Sequence, residues 1–424
     1  EEMAYVAAEM ERRKMNIPLL IGGATTSRIH TAVKIDPHYS GAVIHVLDAS
    51  KGVPVATQLV NENKQQLVDY VANIKAEYEV LRVDHGKRQD LKNYISLEEA
   101  RSKKVSIDWS SVEIKKPKFL GSKVIKDIDL NILVPYIDWT PFFISWELAG
   151  KYPRILEDPV VGVEAKKLFA DAKAMLQHMI DENLIKAEGV YGFFPANALG
   201  DDVLIYDYDE ATGVEMRDQK KATLYFLRQQ NKKAPNLPNF CLSDFIAPHD
   251  SGKEDYIGAF AVTTGINADE AAAVYEKNLD DYNSIMLKAL ADRLAEAFAE
   301  YLHECVRKEH WGYATDEKLD NESLIKEQYL GIRPAPGYPA CPDHLEKRTL
   351  FELLDVETQT QLKLTESFAM HPAASVSGWY FANPESKYFG LGKVNKDQIE
   401  DYANRKDMPI EEIERWLAPV LGYK

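Results

Sequence analysis

The sequence predicts a multi-domain chain of two successive architectures: a partial doubly wound α/β unit, then a mixed α+β domain with an antiparallel sheet and long helices. Three observations predict it. Residues 1–84 alternate helical and strand patterns around short, two-sided apolar strands. Residues 119–424 hold strands and helices that do not alternate. Between them, residues 85–118 turn polar and charged, as a linker does. Length agrees, since 424 residues at about 150 per domain give two to three domains.

In chain order, residues 4–14 place apolar side chains at helical spacing. Glu1 to Met10 already read as the middle of an amphipathic helix without a cap, so the chain reads as a piece of a longer one. Ile17-Pro18-Leu19-Leu20-Ile21 is a short all-apolar strand ended by Gly22-Gly23. A short helical stretch near 30–34 follows, then a second apolar strand, 42–47, ending in Asp48-Ala49-Ser50, and a long helix over 55–81. Two strands are too few for a free-standing parallel sheet, so this reads as the last half of one. The linker holds one short helix. Beyond it, 163–186 reads as an amphipathic helix, and 189–208 as strand, Gly-Asp-Asp turn, strand. A further strand covers 255–264, and one unusually long helix covers 268–309. Strands near 365–370, 377–381 and 388–394 precede helices at 396–405 and 410–417.

Composition narrows the function classes. Fifty-one Lys+Arg against 67 Asp+Glu leave a net charge of −16, which argues against nucleic acid, because binding phosphates needs clustered positive charge. No apolar run approaches the roughly 18 residues that span a bilayer, so no membrane partner is expected. Cys241, Cys305 and Cys341 are few and widely spaced, as in a reducing cytoplasm. His303-Glu304-Cys305-Val306-Arg307 lacks the second histidine of a His-Glu-x-x-His zinc site. No Gly-x-Ser-x-Gly, P-loop or Gly-x-Gly-x-x-Gly occurs. No catalytic residue and no metal ligand is assigned.

The candidate ligand residues are of other kinds. Gly22-Gly23 lies at the carboxyl end of a parallel strand, where doubly wound sheets bind ligands, and Ala49 borders the same rim; the plain alternative is a tight turn. Ile332-Arg333-Pro334-Ala335-Pro336-Gly337-Tyr338-Pro339-Ala340-Cys341-Pro342 has four prolines in eleven residues, which stiffen a loop and leave its backbone groups spare. Arg333 there offers a fork for a carboxylate, and the backbone at Gly337 suits a planar base; the alternative is a surface connector. Tyr136-Ile137-Asp138-Trp139-Thr140-Pro141-Phe142-Phe143 sets one carboxylate among aromatics. Asp138 reads as the cap of the next helix or as a partner for a ligand cation. Glu296, at i, i+4 from Asp292 on the long helix, and Tyr388 on a late strand are further candidates. Their plain readings are a solvated acidic face and a core tyrosine.

Taken together these strings resemble the cobalamin-dependent methionine synthases, in their C-terminal portion. Ile17 to Ser27 is similar to the end of the family's Rossmann-like cobalamin domain. Asp138 to Phe143, Arg333 to Pro342, Thr365-Glu366-Ser367-Phe368-Ala369-Met370 and Ser377-Gly378-Trp379-Tyr380 are similar to its S-adenosylmethionine-binding activation domain. Asp36-Pro37-His38-Tyr39-Ser40-Gly41 satisfies the family's Asp-x-His-x-x-Gly cobalt-ligand pattern. In the family that loop precedes the Gly-Gly, and here it follows it, so it reads as a polar loop.

The resemblance implies a methyltransferase that regenerates itself: when cob(I)alamin is oxidised to the inert cob(II) form, S-adenosylmethionine supplies a methyl group and a flavodoxin-type protein an electron. It places Asp138 at the ligand's amino group and Arg333 at its carboxylate. Ala335, Gly337, Tyr338, Tyr388 and Phe389 fall to the adenosyl part, and Glu296 near the sulfonium. Gly22, Gly23 and Ala49 would line the cobalamin nucleotide tail, a partial site only. The cobalt-ligating loop and the zinc-bearing homocysteine and folate modules would lie upstream, as partners in the same chain. An acidic flavodoxin would need a local basic patch. The alternative is a regulatory module that binds S-adenosylmethionine without transferring its methyl group; a stand-alone doubly wound methyltransferase lacks support, for want of a glycine-rich loop.

Overall fold

The computed structural model describes residues 2–22, 26–46, 49–60, 64–90 and 94–423. They form two compact units, Glu1–Asn93 and Tyr94–Lys424.

In the first unit, helix α1 (Glu2–Arg12) leads into strand β1 (Leu19–Gly22), which pairs in parallel with β2 (Val43–Val46), Leu19 opposite Val43 and Gly22 opposite Val46. Ser27 starts the intervening helical turns, its hydroxyl accepting from the His30 amide at 3.1 Å. The unit's described core is small: a cluster of Ala7, Met10, Ile21, Ile35, Tyr39 and Val43, with Ala32, Ile44, Val46 and Tyr78 also buried. The pattern read as one helix over 55–81 is carried by two, α2 (Ala49–Leu59) and α3 (Lys64–Asp90). Asp36 is buried and accepts from Arg82 of α3 at 2.8 Å, whereas His38 is exposed. The carboxylate is committed to an arginine, as a structural polar loop requires.

The second unit is built on a six-stranded, wholly antiparallel sheet of β3 (Gly121–Ile125), β4 (Lys186–Leu199), β5 (Asp202–Tyr208), β6 (Glu215–Tyr225), β7 (Asp255–Ile266) and β8 (Ser375–Tyr380). Its order is β8-β7-β4-β5-β6, with β3 also on β4. Strands β4 and β7 are buried almost throughout, which is why they read as continuous apolar runs rather than alternating ones. One face of the sheet is covered by α4 (Trp139–Ser145), α5 (Gly162–Asp181), α6 (Ala268–Lys277) and α7 (Asp281–Cys305). The other packs against α8 (Glu346–Leu354), and α9 (Lys396–Lys406) with α10 (Ile410–Leu417) forms a third cluster. No helix among the described residues is long and apolar enough to cross a membrane.

Four expectations for the residues beyond 84 change. The long helix over 268–309 is two: Leu279 takes a left-handed φ of 58°, and the Asp280 carboxylate caps α7 by accepting from the Asn283 amide at 3.1 Å. The strand near 365–370 shrinks to the pairing of Lys363–Leu364 with Met370–His371 around a turn. Residues 388–394 form no strand, although Val394 makes an isolated bridge to Leu421. Residues 94–118, expected within a linker, belong to the second unit: Arg101 pairs with Asp201 and Asp401 at 2.8 and 2.7 Å, and the Trp311 indole donates to the Lys115 carbonyl at 2.7 Å. The charge of Arg101 serves ion pairs within the unit, which composition alone cannot distinguish from solvation.

Candidate functional site

The proline-rich segment runs beside the outer edge of the sheet at β8. Ile332 and Phe381 exchange both backbone hydrogen bonds at 3.0 Å, and the Trp379 amide donates to the Pro334 carbonyl at 2.9 Å. Pairing stops there because the following prolines have no N–H to give. Gly378 permits the approach: a Cβ on it would lie 2.9 Å from the Pro334 oxygen. The chain then turns back on itself, with the Gly337 amide donating to Cys341 at 2.7 Å and the Tyr338 amide to Ala335 at 3.1 Å. Gly337 sits at φ 94°, where a Cβ would come within 2.3 Å of the His344 ring.

This strap forms one wall of a groove made of two adjoining cavities, of about 500 and 280 Å³. Arg333, Glu296 and Glu327 line both. The larger is completed by Ala335, Tyr338, Tyr388, Phe389 and Gly390, with Phe260 and Val376 at its floor. The smaller is completed by Asp138, Tyr136, Arg293, Glu300 and Tyr329. Asp138 and Arg333, nearly two hundred positions apart in sequence, therefore face one space.

Each charged group is held from one side. Asp138 caps α4, its Oδ1 accepting from the Thr140 amide at 2.9 Å, while Oδ2 makes no hydrogen bond among the described residues. Arg333, its side chain 19 % exposed, lies 2.7 Å from the Glu300 carboxylate through Nη1. The same nitrogen is 3.3 Å from His303 Nδ1 and 3.5 Å from the Tyr329 hydroxyl. The backbone amide of Arg333 donates to the Tyr388 hydroxyl at 2.9 Å. Burial alone would lower the arginine's pKa, but Glu300 and the neighbouring tyrosines raise it well above its ordinary value, so the charge is kept. Burial pushes the Glu296 carboxyl above the usual carboxylate range, against the pull of Arg293 and Arg333.

The structure thus brings together Asp138, Glu296, Arg333, Ala335, Tyr338, Tyr388 and Phe389. Gly337 does not line the groove; it makes the turn that sets Ala335 and Tyr338. Gly22 ends β1 in the other unit, beside the end of β2. Gly23 lies outside the described residues, and Ala49 opens α2 with its side chain outside them. Sequence reading missed Glu300, Glu327 and Tyr329. A signal existed for the first: Glu296, Glu300 and His303 lie at i, i+4, i+7 on α7 and so share one helix face, whereas Asp292 was the partner chosen. Among the described residues no group of three or more His, Cys, Asp or Glu side chains is placed to hold a metal ion.

A groove with a free carboxylate edge and a free guanidinium edge at one end, and aromatic walls at the other, suits a zwitterionic amino acid joined to a flat ring system. Comparison with known proteins points the same way. The family model for the vitamin B12 dependent methionine synthase activation domain matches residues 129–407. A solved structure described as the crystal structure of the MetH reactivation domain bound to AdoHcy is 56% identical, covers 78% of this chain and 99% of that one, and superposes with a TM-score of 0.74.

Proposed function

The chain belongs to the family of vitamin B12 dependent methionine synthase activation domains, and from that premise we propose that its groove binds S-adenosylmethionine for the reductive methylation that reactivates cob(II)alamin. The carrying observation is that Asp138 and Arg333, each with a charged atom that has no hydrogen-bond partner among the described residues, open onto one groove. Asp138 Oδ2 would take the ligand's ammonium, and the Nε and Nη2 edge of Arg333 its carboxylate. Ala335, Tyr338, Tyr388 and Phe389 would hold the adenosyl part, with Glu296 near the sulfonium. The bound ligand supplies an electrophilic methyl group. The chain's own residues supply alignment and exclusion of water, which is what an in-line displacement needs, and no general base is required of them.

The solved relative's title names AdoHcy, the demethylated form of the same ligand, which supports this choice over other amino-acid nucleosides. We read residues 1–84 as the C-terminal part of a Rossmann-like cobalamin domain, with Gly22, Gly23 and Ala49 at the nucleotide tail. The parallel pair ends at Gly22 and Val46, the edge at which such sheets bind ligands. Zinc and the homocysteine and folate chemistry belong to upstream modules of the parent enzyme. A flavodoxin-type donor supplies the electron, in the cytoplasm, where three free cysteines are at home.

Titration calorimetry with S-adenosylmethionine tests the reading. Arg333→Ala should weaken binding by about 1.5–3 kcal/mol, the worth of hydrogen bonds to a charged group; unchanged affinity would remove Arg333 from the site. Adding cob(II)alamin and a one-electron reductant should then yield methylcobalamin. Tight binding with no methylation would favour the regulatory alternative.

A further inference from the structure

Glu300, a nearly buried carboxylate in the wall of the smaller cavity beside Arg333, is given no ligand contact on the reading just stated, and on that reading it has another task. We propose that Glu300 is a positioning residue, holding the Arg333 guanidinium by Nη1 so that its Nε and Nη2 edge is presented to the ligand's carboxylate.

The geometry supports this from several sides. Among the described residues, the polar contacts of the guanidinium all use Nη1: Glu300 at 2.7 Å, His303 at 3.3 Å and Tyr329 at 3.5 Å. An arginine side chain is long and loses much rotamer freedom when fixed, so prior fixation favours binding. Glu300 is 7% exposed and projects from the C-terminal part of α7, one turn before His303. His303 is fully buried, stacked on Tyr380 at 5.2 Å and edge-on to Tyr329 at 4.8 Å. To accept from Arg333 at Nδ1 it must be neutral with its proton on Nε2, which lies 3.4 Å from the Tyr313 hydroxyl. Burial beside Arg307 and Arg333 holds its pKa well below the ordinary imidazole value, in agreement.

Glu300 also prevents a competing arrangement. Glu296 and Glu327 line both cavities with Arg333, and either would neutralise the guanidinium on its ligand-facing edge if the side chain were free to swing. Pairing Nη1 from behind keeps that edge open. On its other side, Glu300 Oε1 lies 3.8 Å from Arg307 Nη1, and neither atom has a hydrogen-bond partner among the described residues. Arg307 is committed to Glu317 at 2.7 Å. One carboxylate therefore separates two guanidinium groups that would otherwise repel in a poorly solvated interior.

The test is calorimetric titration of the full chain with S-adenosylmethionine and with its decarboxylated analogue, which keeps every group except the carboxylate. Glu300→Gln should weaken S-adenosylmethionine binding roughly tenfold and leave the analogue's affinity unchanged. Combined with Arg333→Ala it should add nothing to that variant's loss. Glu300→Asp keeps the charge but withdraws it by one methylene, and should give an intermediate, equally selective loss; it serves if the glutamine variant does not fold. Equal losses for both ligands, or none for either, would overturn the positioning role while leaving the groove's assignment intact. A wild-type chain that binds neither ligand would overturn the assignment and this role together.

Discussion

Gly337 carries more of the groove's shape than its distance from the ligand suggests. At φ 94° any L side chain is strained, and a Cβ there would meet the His344 ring at 2.3 Å, so Gly337→Ala must displace either the imidazole or the turn. A cost of about 1–3 kcal/mol is expected, read as a lower thermal midpoint. S-adenosylmethionine affinity should fall with it, because the turn fixes Ala335 and Tyr338. A variant with a normal midpoint and normal affinity would show that the turn relaxes freely. The residue was legible in the sequence, but for another reason, as a point of backbone approach to the ligand. Asp138 and Arg333 were legible as isolated charges among aromatics or prolines, although Asp138 also has the plain role of capping α4. Glu300 left only the weak signal of sharing a helix face with Glu296, and Tyr329 left none, because tertiary packing is what turns both toward Arg333.

Helix α9 shows what anchors an element whose own hydrophobic face is modest. Lys406, at its last turn, places Nζ 2.7 Å from both Asp343 and Glu346, and the Tyr402 hydroxyl donates to Asp343 at 2.7 Å. All three charged side chains are at most 7% exposed. Burial pushes the Glu346 carboxyl up to about 7 in spite of Lys406. A carboxyl whose folded pKa lies above its unfolded one binds more protons in the native state, so stability falls as pH rises through that value and recovers below it. Lys406→Met removes the attraction that limits this rise and leaves two buried carboxylates unpaired. The variant should lose about 3–5 kcal/mol near neutral pH or above, and less toward about pH 5, where protons take the lysine's place. Urea unfolding at the two pH values measures it; a pH-independent deficit would mean that the pair is a packing contact only. Helices α9 and α10 were plain from periodicity, whereas the break after α6 was not. There Leu279 enters a left-handed conformation, and only Asp280, an acceptor placed before a helical run, hints at a new start. Residues 388–394 have strand composition, but the β8 edge is already occupied by the strap bonded to Trp379 and Phe381.

The chain as a whole divides unequally. The second unit has three hydrophobic clusters under and around a six-stranded sheet, while the first has, among the described residues, two short strands and ten buried hydrophobic side chains. So few buried side chains on a two-stranded sheet give marginal stability, so the first unit should unfold at lower denaturant. The boundary at 93/94 escaped sequence reading because Arg101, Asp201 and Asp401 are charged yet paired with one another; the two short strands of the first unit did not, since both stood out as apolar runs. Tryptophan placement makes the difference measurable: all six tryptophans, from Trp109 to Trp416, lie in the second unit. Their fluorescence therefore reports that unit, whereas far-ultraviolet circular dichroism also reports α1, α2 and α3. In a urea titration the dichroism should fall in two steps, the first without change in tryptophan emission, and S-adenosylmethionine should raise the midpoint of the second step only, because the whole groove belongs to the second unit. Coincident curves from the two probes would mean that the units melt as one cooperative body, and a ligand shift in the first step would place part of the binding site on the first unit.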